Sequence, residues 1–120
     1  MRNNLVSYTN ADNAGSAVNV PDAGQVKTFT SNNNWLSSNQ PNGRHLVWNG
    51  ARVTLSQWAR TTGQDGASVA STPPRIDAGA HVVSTNLGRA RGQNLGLLRD
   101  YSGIAVPTAT APDISAHQAA

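Results

Sequence analysis

Cysteine is absent, so disulfides, thiolate nucleophiles and cysteine-based zinc sites are excluded, and the compartment stays open. Glutamate is also missing, and Lys27 is the single lysine, so two of the strongest surface-helix formers are all but absent. A long solvent-exposed helix is not expected. Charged residues are 12% of the chain and aromatics 5%. No apolar stretch is long enough to cross a bilayer, and Met1–Tyr8 lacks the apolar run of a secretion leader, so no membrane partner is expected. The remainder is Asn, Ser, Thr and Gly, a composition that favours short strands joined by tight turns. A chain of 120 residues reads as a single domain with a modest core.

The net charge of +3 is carried almost wholly by arginine. Arg2, Arg44, Arg52, Arg60, Arg75, Arg89, Arg91 and Arg99 are scattered, and Arg89 and Arg91 alone come close in sequence. Nucleic acid is not the expected partner of so dispersed a charge; an acidic polysaccharide is the better anionic candidate.

Residues 1–45 contain β-favourable segments at Leu5–Tyr8, Ala17–Val20 and Val26–Thr30. Between them lie Asn10–Gly15 and Pro21–Gly24, with side chains suited to Asx turns and left-handed backbone. Asn3-Asn4 and Asn32-Asn33-Asn34 each precede an apolar segment, the hint of an internal repeat.

Residues 46–68 are the best specified. Asn49-Gly50 suits a type I′ turn joining His45–Trp48 to Ala51–Leu55. Thr54 and Gln57 have capping-box spacing, Leu55, Trp58 and Ala59 make one apolar stripe, and Gly63 is placed to end the helix. Trp58 reads as a packing anchor.

Residues 69–117 are rich in loops punctuated by proline and glycine, and 118–120 form a tail. Asp65, Asp77, Asp100 and Asp113 each stand in a turn or cap context, too far apart for a calcium site. His45, His81 and His117 show no metal-ligand spacing, so no metal or other cofactor is called. His117 reads as structural.

The order of these motifs carries a resemblance. An Asn-rich turn before Trp35 is followed by Val47-Trp48-Asn49-Gly50 and by Leu55–Trp58 running into Thr62–Ser68. Three further turns come next, Ile76–Gly79, Asp100–Gly103 and Pro112–Ala116. The series resembles the C-terminal part of secreted right-handed parallel β-helix proteins of the pectate-lyase-like superfamily. Ser115 and Gln118 replace the Gly and Glu of that family's closing motif, and the strand between Ser68 and Ile76 is shortened. The resemblance implies a mainly β fold, the last coils and cap of a parallel β-helix with one short helix. A strand-like start fits a piece cut from a longer solenoid.

The resemblance also implies carbohydrate-active relatives, chiefly polysaccharide lyases and some hydrolases. Uronate elimination needs a carboxylate-neutralising cation and a base on stacked central coils, which this chain is too short to supply. A structural or glycan-binding module without catalysis of its own is therefore expected. Arg44-His45 beside Trp35 and Trp48 brings a cation, a titratable ring and aromatic faces together in sequence, so these four are the sugar-contact candidates. The alternative is a structural protein that self-associates through exposed β edges or solenoid ends, giving a homo-oligomer.

Overall fold

Asparagine tolerates the left-handed backbone that a sharp corner demands, and the chain uses it before two of its strands. Asn3 and Asn33 have φ of 56° and 54°, and the Asn3 N–H donates to the Asn33 carbonyl at 2.9 Å. These corners launch β1 (Leu5–Tyr8) and β3 (Trp35–Ser38) in parallel, with Leu5 opposite Trp35 and Ser7 opposite Ser37. β6 (Val69–Ser71) adds to the other edge of β3, also parallel, with Val69 opposite Trp35. The structure, a computed structural model, describes residues 1–8, 15–22, 24, 29–79, 81–82, 86–100 and 102–114.

A second sheet contains β2 (Val18–Val20), β4 (Leu46–Trp48) and β5 (Ala51–Val53) in the order β2-β4-β5. β2 and β4 are parallel, whereas β5 returns antiparallel after Asn49 and Gly50, both at positive φ. Helix α1 (Leu55–Thr62) follows at once. Its capping box is formed: Thr54 Oγ1 accepts from the Gln57 N–H, and Gln57 Oε1 accepts from the Thr54 N–H. Gly63 closes the helix at φ 70°, donating to the Ala59 carbonyl.

The fold is a small mixed one, two three-stranded sheets and a helix, and not the end of a β-helix. Parallel pairing does not continue into a stack of coils. The Asn49-Gly50 turn gives β4 an antiparallel partner, and the capping box then diverts the chain into α1. After β6, Pro73 and Pro74 remove backbone donors, and the described chain pairs only through isolated antiparallel bridges, Ile76–Val82 and Arg99–Ala105. Local turn chemistry overrode a motif order that resembled a solenoid. The expected strand Val26–Thr30, most of the Asn10–Gly15 turn, and the closing Ser115–His117 lie wholly or partly outside the described residues.

Alternation along β3 separates its side chains. Leu36 faces the main core, with Val20, Leu46 and Trp58 buried around it. Trp58 meets Phe29 and Trp48 edge-on, at ring-centroid distances of 6.2 and 5.7 Å. Each such fully buried side chain contributes roughly 1.5–3 kcal/mol. Trp35 points to the opposite face, where the site is found.

Candidate binding pocket

Trp35 is 1% exposed, yet little of what covers it is secondary structure. The turn at 86–91 lies across its ring. A β-carbon added to Gly88 would come within 3.1 Å of Trp35 Cε3 and 3.0 Å of Ile114, so only glycine lets this turn sit so close. The Ile114 N–H donates to the Gly88 carbonyl at 2.8 Å, and the Ala90 N–H donates to Asp113 Oδ1 at 2.7 Å. The indole Nε1–H donates to Ser71 Oγ at 2.8 Å, and the Ser71 hydroxyl donates to the Thr72 carbonyl.

Beside this anchored ring an open pocket of about 300 Å³ is lined by Trp35, Ser71, Thr72, Pro73, Pro74, Arg75 and Leu87. Its lining combines an indole, two prolines and a leucine with two hydroxyl side chains and one guanidinium. Two more arginines belong to the same covering segment. Arg89 and Arg91 are exposed, and the Arg91 carbonyl accepts from Asn33 Nδ2 at 3.2 Å. Arg2 is half-buried and bridges to Asn32, next to Asn33. Asp113, which is hydrogen-bonded to this segment, is buried with its Oδ1 accepting from the Ala90 N–H.

Of the four sugar-contact candidates, Trp35 alone borders the pocket. Arg44 is exposed after the 3-10 turn Pro41–Gly43. His45 is 4% exposed and its Nδ1 lies 2.8 Å from Ser38 Oγ, in a hydrogen bond whose direction follows the imidazole tautomer. Burial pushes the His45 pKa below its ordinary 6.5, opposed more weakly by hydrogen bonding to the Ser38 backbone. Trp48 is half-buried in the other sheet against Trp58. The four therefore do not share one surface. The Ser38–His45 pair does not act as a nucleophile and base either, because Ser38 is wholly buried.

The sequence offered no sign of Ser71, Thr72, Pro73, Pro74, Arg75 or Leu87 as site residues, since Leu87 reaches the others only through the fold. The acidic turns behave as expected. Asp77 Oδ1 accepts from the Gly79 and His81 N–H groups, and Asp100 Oδ1 from the Ile104 N–H. Asp65, at φ 60° and 2% exposed, collects Ser31, Asn34, Trp58 and Ser68 donors. Among the described residues no cluster of three His or Asp side chains is placed to hold a metal ion, and no helix is long and apolar enough to cross a membrane. Set beside known proteins, the chain matches no family model, no curated protein and no solved structure.

Proposed function

We propose that the chain is a non-catalytic module that binds an acidic polysaccharide, seating one uronate-type residue in the pocket beside Trp35. The observation that carries this reading is the lining itself. Pro73, Pro74 and Leu87 offer an apolar surface to the C–H face of a sugar, Thr72 offers a hydroxyl, Ser71 keeps one acceptor lone pair beyond its bonds to Trp35 and Thr72, and Arg75 offers a planar fork that matches a carboxylate. Arg89 and Arg91, exposed on the segment that contributes Leu87, favour an anionic chain over a neutral one.

Isothermal titration with uronate oligosaccharides tests it. Arg75→Ala is expected to weaken binding about tenfold, the effect of one lost carboxylate partner in a partly desolvated site. Added salt weakens binding further, and neutral oligosaccharides of equal length do not bind. Equal affinity for neutral and acidic chains, or none for either, would refute the reading. Release of unsaturated uronate during incubation would refute the non-catalytic part.

A further inference from the structure

The two outer strands of the parallel sheet leave their outward backbone groups without a strand partner among the described residues, because the order is β1-β3-β6. Which groups face outward follows from the printed bonds. The Trp35 N–H donates to the Asn4 carbonyl, and the Val69 N–H donates to the Asn34 carbonyl. In a parallel ladder the direction alternates residue by residue. Leu5 and Ser7 of β1 therefore turn their N–H and C=O groups away from β3. On the far edge, the Ser68 carbonyl, both Ala70 groups and the Thr72 N–H face outward.

These two edges match. We infer that the chain self-associates head to tail, β6 of one copy accepting β1 of the next in parallel. With Leu5 of the second copy opposite Val69, its Leu5 N–H meets the Ser68 carbonyl and its Leu5 carbonyl meets the Ala70 N–H. The Ser7 N–H then meets the Ala70 carbonyl, and the Ser7 carbonyl meets the Thr72 N–H. This is the register that Val69 already keeps with Trp35.

Side chains agree with the backbone. Leu5, Trp35 and Val69 form one row, Val6, Leu36 and Ala70 a second, and Ser7, Ser37 and Ser71 a third. An incoming β1 continues all three rows, placing Leu5 by Val69, Val6 by Ala70 and Ser7 by Ser71. A strand of unrelated sequence would not continue all three rows. The contact is heterologous, so copies add in series and do not close at two. Such open edges are otherwise an aggregation liability.

Complementary proline variants of the full chain provide the test. Ala70→Pro deletes an outward donor of β6 without touching its bonds to β3, and Ser7→Pro does the same for β1. Sedimentation velocity should show a concentration-dependent series for the unaltered chain and a monomer for each variant. An equal mixture should form a heterodimer that grows no further, since Ser7→Pro keeps a working β6 edge and Ala70→Pro a working β1 edge. Hydrogen exchange on the unaltered chain gives a second readout that needs no substitution. Protection of the Leu5, Ser7, Ala70 and Thr72 amides should rise about tenfold as concentration increases, with β3 amides unchanged. A monomer at all concentrations, a dimer that saturates at two, or edge amides insensitive to concentration would overturn the inference. No glycan is present in either experiment, so the outcome is independent of the pocket.

Discussion

Replacing Asp65 isolates the interaction on which the junction of helix and sheets depends. Its Oδ2 accepts from Trp58 Nε1 at 2.9 Å, and its Oδ1 accepts from the hydroxyls of Ser31 at 2.8 Å and Ser68 at 2.6 Å. Oδ1 also accepts from Asn34 Nδ2 at 3.3 Å, but that amide keeps Met1 and Ser31 oxygens as alternatives. The hydroxyls can rotate toward other acceptors, whereas the Trp58 indole has no other acceptor among the described residues. Asp65→Gly suits the positive φ and removes only the carboxylate. Its expected loss is about 3–5 kcal/mol, from one orphaned buried N–H and two charge-assisted bonds. Asp65→Ala should lose about 1 kcal/mol more, the penalty of a β-carbon in the left-handed region.

That is a large part of the roughly 5–15 kcal/mol that holds a domain folded. Urea unfolding followed by tryptophan fluorescence and circular dichroism measures it. Trp58→Phe supplies a second leg, since it removes the donor and keeps most of the ring. If the orphaned indole is the main penalty, Trp58→Phe should cost about 1–2 kcal/mol less in the Asp65→Gly background than alone. A loss below about 1 kcal/mol for Asp65→Gly, or no coupling to Trp58, would refute the reasoning.

Two further perturbations test the fold. Thr54→Ala removes the helix cap and should cost about 1 kcal/mol, with Gly63→Ala costing a similar amount through its φ of 70°, both read as shifts of the urea midpoint. His45 has a folded pKa below the unfolded 6.5, so the unfolded chain binds the proton first as pH falls. Stability is therefore complete above pH 6.5 and declines below it, and His45→Gln should remove that decline; a slope shared by both proteins would show that another group is responsible. Asp77, held below its ordinary 3.8 chiefly by the His81 backbone N–H, acts in a separate and more acidic window.

Motifs closed within a few residues could be read directly. The Asn49-Gly50 hairpin, the Thr54–Gln57 box and the Gly63 stop appear where spacing places them, because each is satisfied by bonds to near neighbours. Asp77 and Asp100 form their turns for the same reason. The larger architecture could not be read this way: a series of correct local motifs resembles a β-helix end, yet the same hairpin and helix that supply the resemblance prevent the second sheet from continuing in parallel. The grouping of Trp35, Arg44, His45 and Trp48 rested on nearness in sequence. Strand alternation sends Trp35 to one face of β3, while Trp48 joins the Trp58 core on the other.

From the sequence alone come the absence of thiol chemistry, the scarcity of helix, the arginine-dominated positive charge and the identity of each tight turn, since all follow from composition or from contacts spanning few residues. Only the tertiary structure decided that Leu87 lines one pocket with Pro73, Pro74 and Arg75 beside Trp35, that Asp65 gathers donors from three segments, and that β1 and β6 are the outer strands of one sheet. Those depend on strand register and on how closely Gly88 approaches an indole, and both are set by packing between residues far apart in the chain.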